Sequence, residues 1–259
     1  MRLQSRRSDR CLTPLVRRNM LIHFPGTRAN IDIESVWHRR HSVLLVSAGR
    51  TRLLVDCGAD WLGRLDALKP HAVLITHAHP DHVGGLRRGS PCPVWATPAT
   101  WGALHHMPIV ERRILRCGHR HRFGTLSVYP VRVVHSRRCP TVAFRITAGR
   151  RTIFYAPDVL SIPLVSTALK GVDLFIGDGS SISRPIVRGR SHLRSGHASI
   201  KTQLGWCARE AVRCAIFTHC SAALVRLRWD AASSLICALG HEHEIDARIA
   251  YDGLTVRLR

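Results

Sequence analysis

The segment Thr76–His82 constrains the fold of this chain more than any other part of the sequence, because it gathers three imidazoles and a carboxylate at the end of an apolar run. Buried polar side chains need hydrogen-bond partners and exposed ones gain nothing from clustering, so packing does not explain the group. A metal ion does. His77 and His79 face the same side of an extended segment, and the following turn brings Asp81 and His82 to a neighbouring direction. The spacing suits two adjacent metal ions better than one.

Length and composition predict a single globular domain in a reducing compartment. The chain has 259 residues and is 45% hydrophobic, which suffices for one well-buried domain over residues 20–259. We expect residues 1–19 to be a disordered basic tail or an over-extended start upstream of Met20. The nine cysteines are scattered and never spaced Cys-x-x-Cys, as in the reduced thiols of a cytoplasmic protein. No apolar stretch approaches the roughly 18 residues of a membrane span, and the first residues do not resemble a signal peptide.

The net charge is compatible with two interpretations of the surface. A value of +22 attracts polyanions and is typical of nucleic-acid-binding surfaces. However, only three of the 39 basic residues are lysines, and the arginines occur as scattered pairs. An anionic partner, including nucleic acid, and a generic basic surface both account for this composition.

Strand-like and helix-like segments alternate along the chain, which predicts an α/β fold with helices covering the sheets. The predicted strands are Ser42–Val46, Leu53–Asp56, Ala72–Thr76, Leu126–Val134, Val142–Thr147, Thr152–Tyr155, Val172–Ile176 and Ala215–Thr218. The predicted helices are Trp61–Leu68, Pro98–His105, Pro163–Leu169, Ile200–Ala211 and Asp230–Leu239. We also expect a final hairpin from Arg248–Tyr251 and Leu254–Leu258, turning at Asp252-Gly253.

Further candidate ligands share one position in this plan, directly after an apolar strand. His135, Asp158 and His219 each follow such a run, as His77 does. Strand ends on one rim of a sheet converge on a single place, so we expect these side chains to meet.

In this order the residues resemble the metallo-β-lactamase-fold hydrolases. The family signature His-x-His-x-Asp-His is similar to the segment His77–His82, and His135, Asp158 and His219 match the later ligand motifs. Asp56 resembles the first-motif aspartate, which supports the metal loop and is not usually a ligand. The resemblance extends over nearly the whole chain. It implies a four-layer αβ/βα sandwich with the metals at one edge of two sheets, and dimers are common among such proteins.

The resemblance also implies a ligand set for two divalent ions. The first ion would be held by His77, His79 and His135. The second would be held by Asp81, His82 and His219, with Asp158 bridging the two. Mixed imidazole and carboxylate ligands favour zinc, and manganese or iron is compatible with the same set.

Three details resemble the ribonuclease Z and cyclic phosphodiesterase group within this fold. His135 lies in Val-His-Ser, unlike the Pro-Gly-His-Thr of glyoxalases and lactonases. His197, in Gly-His-Ala-Ser before a helix, is similar to a histidine of that group that is not a ligand and acts beside the leaving group. Asp178 falls where the group places a glutamate that orients this histidine, and such a partner favours the proton-donating form.

The implied activity is phosphodiester hydrolysis. Two ions about 3.5–4 Å apart would activate a bridging hydroxide for in-line attack, with Asp81 beside it and His197 assisting the departing alkoxide. The interval between His135 and Asp158 leaves no room for the extruded arm of transfer-RNA processing enzymes, so a small or cyclic diester is the expected substrate. Gly177 replaces the histidine that usually precedes the orienting carboxylate.

Two other functions stay open at this point. One is hydrolysis of a carboxylic ester or lactone, because this fold hosts several chemistries. The other is nucleic-acid binding without catalysis, which the net charge favours. The basic insert Ser181–Ser195, with Arg184, Arg188, Arg190, His192 and Arg194, has no counterpart in the family pattern. It either roofs the site or is a solvated loop.

Overall fold

The computed structural model describes residues 19–189 and 194–259. Almost all of the expected N-terminal tail, together with Arg190 and His192 of the basic insert, lies outside these ranges. Those predictions therefore stay open. Among the described helices, none has the length and apolar character needed to cross a membrane.

The first sheet has seven strands, four of which run parallel at one side. Its strands are β1 (Met20–Gly26), β2 (Val43–Ala48), β3 (Thr51–Val55), β4 (Ala72–Leu74), β5 (Val94–Ala96), β6 (Arg112–Ile114) and β16 (Thr255–Leu258). Their order is β16-β1-β2-β3-β4-β5-β6, so consecutive segments of the N-terminal half pair with each other and only the last strand joins from afar.

The second sheet also has seven strands, and a separate two-stranded ribbon stands beside it. Its strands are β7 (His121–Phe123), β8 (Leu126–Val133), β9 (Thr141–Ala148), β10 (Arg151–Tyr155), β11 (Leu174–Asp178), β14 (Cys214–Thr218) and β15 (Asp246–Ile249). They are ordered β15-β14-β11-β10-β9-β8-β7. The ribbon pairs β12 (Ile186–Arg188) with β13 (Ser195–His197) inside the basic insert and just beyond it.

Helices cover the outer faces of both sheets. They are α1 (Leu65–Leu68), α2 (Pro80–Val83), α3 (Pro98–Ala103), α4 (Val165–Leu169), α5 (Ile200–Arg209), α6 (Ala222–Val225) and α7 (Trp229–His241). Short 3-10 segments lie at Ala59–Trp61 and Gly84–Arg88.

Three apolar layers show that the architecture is the expected four-layer αβ/βα sandwich. Val46 of β2 and Ile153 of β10 belong to the layer between the two sheets. Val73 of β4 packs with Trp101 of α3 outside the first sheet. Phe154 lies outside the second sheet with the helical side chains of α5 and α7. Ile153 and Phe154 thus face opposite layers, as the two-residue period of a strand requires.

Each strand predicted above corresponds to an observed strand with shifts of only a few residues. The predicted Trp61–Leu68 helix is reduced to the single turn of α1 after a 3-10 segment.

The prediction of a final hairpin is wrong. The strand β15 pairs parallel with β14, and β16 pairs with β1 in the other sheet. The turn at Asp252-Gly253 carries the chain between sheets, and Asp252 accepts hydrogen bonds from the backbone N–H groups of Arg39 and Arg40.

Candidate metal centre

The predicted site residues meet where the strands of both sheets end. Asp56 and His77 follow β3 and β4 of the first sheet. Asp158 and His219 follow β10 and β14 of the second, and Asp178 is the last residue of β11. Strands β3 and β4 are parallel, as are β10, β11 and β14. Their carboxyl ends therefore share one edge, and the sandwich brings both edges together.

Three imidazole nitrogens face one another at this edge. His77 Nε2 lies 2.8 Å from His79 Nδ1, and His135 Nε2 lies 3.4 Å from the same atom. The hydroxyl of Thr76 donates to Asp56, so it accepts from His77 Nδ1 at 3.0 Å, which leaves His77 Nε2 without a proton in the neutral ring. These three side chains form a group that could hold a metal ion, because neutral imidazole nitrogens are metal ligands.

A second group lies beside the first. Asp81 Oδ2 is 3.3 Å from His82 Nε2 and 3.2 Å from His219 Nε2. Asp158 reaches towards both groups, since its Oδ2 lies 2.6 Å from His82 Nε2 and its Oδ1 lies 3.7 Å from His135 Nε2. The carboxylate thus stands between two clusters that could each hold a cation.

The chemistry of these atoms fits a divalent cation. His82 Nε2 and Asp158 Oδ2 are buried and lie 2.6 Å apart, yet in the described ranges neither makes a hydrogen bond of acceptable geometry. Buried polar atoms without a partner are costly, and a cation bound to both would satisfy them. Mixed nitrogen and carboxylate oxygen donors match those of known zinc sites.

Asp56 positions the segment Thr76–His82 through contacts to both of its ends. Its carboxylate accepts 2.8 Å hydrogen bonds from Thr76 N and from Thr76 Oγ1, and it lies 2.8 Å from His82 Nδ1. The residue has a positive φ of 63°, which is uncommon outside glycine. Gly58 allows the loops to approach closely, because a Cβ there would lie 2.0 Å from the Asp81 carbonyl oxygen.

The geometry of His219 is equally constrained. Its φ is 55°, and its backbone N–H donates to Ser42 Oγ at 2.8 Å. Its Nδ1 lies 3.0 Å from Ser180 Oγ, which leaves Nε2 directed at Asp81. Ser180 was not among the residues predicted from the sequence, and its proximity to Asp178 in the chain was the available signal.

His197 stands at the mouth of the site, paired with Asp178. Its Nδ1 lies 2.7 Å from Asp178 Oδ2. Asp178 is itself fixed by backbone N–H groups, from Ser180 at 2.8 Å and from Val159 at 3.1 Å. The side chain of His197 is 20% exposed, while that of Asp178 is fully buried. The pairing leaves Nε2 of His197 as the nitrogen that can meet a substrate.

Gln203 joins Asp178 to the segment that carries His197, and it was not among the residues predicted from the sequence. Its side-chain amide donates to the Asp178 carbonyl at 2.7 Å and to the Ala198 carbonyl at 3.3 Å, and its oxygen accepts from the Asp178 N–H at 2.9 Å. A Cβ at Gly177 would lie 2.4 Å from the Gln203 Oε1 atom. The glycine that departs from the family pattern therefore makes room for this glutamine.

Burial and neighbouring charges both shift the pKa values of the cluster. Burial alone would raise the pKa of Asp158, yet His219, His82 and His135 hold that pKa well below its usual range. Burial would lower the pKa of His219, but Asp158 and its other carboxylate neighbours raise the pKa to about 10. Burial lowers the pKa of His77, aided by the neighbouring His82. The carboxylates are thus ionised and His77 is neutral, which are the forms that bind metals, whereas a cation bound to His219 would displace the proton that its carboxylate neighbours favour.

A cavity of about 450 Å³ opens onto both groups and onto His197. The basic insert contributes to its wall, because Ile186 and Arg188 line it and Ile186 pairs with His197 across the ribbon. Other lining residues that the sequence did not indicate are Asn30, Ile31 and Ser221. Residues 136–157, between His135 and Asp158, form β9, β10 and their connections, so this interval carries no extruded arm.

A sandwich with this histidine and aspartate cluster at its edge defines a protein of the metallo-β-lactamase class. Residues 51–220 match the family model for the beta-lactamase superfamily domain. The chain therefore belongs to that family.

Solved structures agree with this assignment. The metallo-β-lactamase fold protein YhfI from Bacillus subtilis is 16% identical and has a TM-score of 0.73, with 93% of this chain and 100% of that chain covered. A diphosphatase from the PhnP family is 18% identical and has a TM-score of 0.67, with 93% and 98% covered. At these identities the likeness establishes the fold.

Curated relatives match over shorter stretches. Ribonuclease Z of Methanopyrus kandleri is 31% identical over 146 residues, which is 50% of each chain. Exodeoxyribonuclease YycJ of Bacillus anthracis is 29% identical over 114 residues, 38% of this chain and 43% of the relative. The matched part of this chain thus spans about half the length of these relatives.

Proposed function

We propose that this protein is a cytoplasmic, dinuclear metal-dependent phosphodiesterase acting on a small or cyclic diester. The observation that carries the proposal is the Asp178–His197 pair, in which His197 lines the cavity beside the two groups of side chains that we assign to metal ions. An acid placed there is useful only if a leaving group departs towards it. The names of the relatives, a ribonuclease and an exodeoxyribonuclease, lend support.

In this proposal each group of the cluster has a task. His77, His79 and His135 would hold one ion, and Asp81, His82 and His219 would hold the other, with the Asp158 carboxylate within reach of both. Two divalent ions, which we propose to be zinc, supply Lewis acidity and a water whose pKa is near neutral. Asp56 fixes the tautomer of His82, because their 2.8 Å contact places the His82 proton on Nδ1 and bares Nε2.

His197 acts on the leaving group. Burial alone would lower its pKa, but the Asp178 carboxylate raises the pKa above the usual value. Asp178 therefore favours the protonated ring, in which one proton lies between Nδ1 and Asp178 and the other is on Nε2. Donation from Nε2 to the departing oxygen leaves a neutral ring with the Nδ1 proton still bonded to Asp178.

The test compares two substrates and two variants of the metal-loaded protein. We expect turnover of bis-p-nitrophenyl phosphate to exceed that of p-nitrophenyl acetate, and His197→Ala to lower diester turnover by about 10²-fold or more. His119→Ala, which removes an exposed histidine away from the cavity, is the control. Ester turnover that survives His197→Ala without any diester activity would overturn the proposal in favour of an ester or lactone hydrolase.

A further inference from the structure

A second cavity adjoins the candidate metal centre and is lined by positive charge. It measures about 570 Å³, and its walls are formed by Ser136, Arg137, Arg138, Arg188 and Ser195. Ser136, Arg188 and Ser195 also line the cavity of the metal centre. The two cavities therefore share part of their lining, which places the second directly beside the first.

The three arginines lie on the same two segments as His135 and His197 of the candidate metal centre. Arg137 and Arg138 follow His135 by two and three positions. In the ribbon, Arg188 pairs with Ser195 while Ile186 pairs with His197. Residues two apart on a strand share a face, so Arg188 stands about 7 Å along the ribbon from the level of His197. The backbone positions of the three arginines are thus set by the segments that carry His135 and His197, and their exposed side chains line the adjoining cavity.

Within the part of the chain that the structure describes, these three arginines differ from those whose side chains are paired with carboxylates. Arg151, Arg213 and Arg248 each pair with an aspartate or glutamate. Within the described ranges, Arg137, Arg138 and Arg188 donate no side-chain hydrogen bond and form no ion pair. None of the residues lining their cavity is acidic. Like charges gathered without a counter-ion repel one another, and a bound anion removes that repulsion.

We propose that this cavity, hereafter the arginine subsite, binds a second phosphate group of the substrate. The inference rests on the proposed function, since it assigns the first phosphate to the metal centre. Three guanidinium groups and two serine hydroxyls supply many donors, and arginine binds phosphate oxygens in a bidentate manner. A terminal phosphate carries about −1.5 to −2 charges and three acceptor oxygens, which matches this donor set. The substrate class is therefore a phosphodiester bearing a further phosphate, as in a phosphorylated nucleotide ester.

The experiment uses a matched pair of chromogenic substrates with the metal-loaded protein. Thymidine 3′-(4-nitrophenyl phosphate) has only the scissile diester, and its 5′-phosphorylated form adds the second phosphate. The readout is the ratio of kcat/KM for the phosphorylated over the unphosphorylated ester. We expect a ratio of about tenfold or more in the wild type, because a charge-assisted hydrogen bond contributes on that scale. Raising the ionic strength should lower the ratio.

The variants assign that preference to the arginine subsite. We expect Arg188→Gln, and the double change Arg137→Gln with Arg138→Gln, each to reduce the ratio several-fold. The double change Arg87→Gln with Arg88→Gln removes two neighbouring exposed arginines that line neither cavity, and it should leave the ratio as in the wild type.

A third substrate, in which the 5′-phosphate is a methyl ester, distinguishes two sources of the second phosphate. A lower ratio for this ester indicates a terminal phosphate, and an equal ratio indicates a neighbouring phosphate of a longer chain.

Two results distinguish failure of the subsite from failure of the proposed function. Hydrolysis of both thymidine esters at equal kcat/KM, with no change of the ratio in the variants, overturns the arginine subsite and leaves the phosphodiesterase intact. Absence of hydrolysis of either ester by the metal-loaded wild type overturns the proposed function itself.

Discussion

His197 Nδ1 lies 2.7 Å from Asp178 Oδ2 and 3.4 Å from Asp158 Oδ1. One imidazole therefore contacts both the carboxylate that orients it and the carboxylate that stands between the two candidate metal positions. In the proposed mechanism, the buried Asp158 would therefore link the proton donor to the metal ions. Substitutions at Asp178 and at Asp158 should therefore have different effects, since the first would weaken the proton donor and the second would remove a metal ligand.

Asp178→Asn should impair hydrolysis more when the leaving group is poor. The variant removes the negative charge that raises the pKa of His197, so the protonated form of the ring becomes less favourable. We expect kcat to fall about tenfold for a 4-nitrophenyl diester and about a hundredfold for the phenyl analogue, whose alkoxide-like leaving group needs the proton more. Asp173→Asn, at the other end of β11, is the control. An equal loss for both leaving groups would contradict acid assistance by His197.

Metal content should separate the two groups of ligands. We expect close to two ions per chain in the wild type, and loss of about one ion each in His79→Ala and His219→Ala, because each removes a ligand of one group only. Asp158→Ala should lose more than either, since this side chain reaches towards both groups. Elemental analysis after gel filtration measures this. A wild type with fewer than one ion per chain would rule out the dinuclear centre.

Gln203→Leu should destabilise the protein strongly. The change leaves the buried N–H and carbonyl of Asp178 without their partner and removes a contact to Ala198. Unsatisfied buried polar groups cost about 1–3 kcal/mol each, so we expect the free energy of unfolding to fall by about 2–4 kcal/mol in urea titrations. Lys201→Met, on the exposed side of the same helix, should change it by less than about 0.5 kcal/mol. A loss no larger than that of Lys201→Met would contradict the role assigned to Gln203.

Local patterns were enough to predict the longer buried strands and the strand-end positions of the candidate ligands, whereas the three-residue strands β5, β6, β7, β12 and β13 were not predicted. His77, His135, Asp158 and His219 each follow an apolar run in the sequence, and parallel strands with a common direction bring such positions to one edge. The expectation of a shared edge thus needed no tertiary information beyond the direction of the strands.

Non-local pairing explains what the sequence did not predict. The Asp252-Gly253 turn is present, but β15 before it pairs with β14 of the second sheet, and β16 after it pairs with β1 of the first. No local sequence signal specifies these partners. Gln203 lies in an ordinary helical segment, and its role arises only when α5 packs beside the end of β11. The placement of Arg188 opposite Ser195 likewise depends on the register of the ribbon.

Stability should decrease as the pH falls below about 6.5, in part because of His38. This residue lies away from the metal centre, only 3% exposed, with Nδ1 2.7 Å from Thr27 Oγ1, which itself donates to Asp252. Burial lowers the pKa of His38 from 6.5 to about 4. Between those two values the unfolded chain binds a proton that the folded chain does not, so the contribution is fully present above pH 6.5 and is lost as the pH falls towards 4.

The difference between the wild type and His38→Gln isolates this effect, because the other histidines are common to both proteins and their contributions cancel. From pH 7 to pH 5 we expect the free energy of unfolding of the wild type to fall by about 2 kcal/mol more than that of the variant. Glutamine retains a donor for Thr27, so the comparison at pH 7 reports packing alone. His105→Gln, which changes an exposed histidine, should follow the wild type. Equal losses in the wild type and His38→Gln would show that His38 is not held neutral by burial.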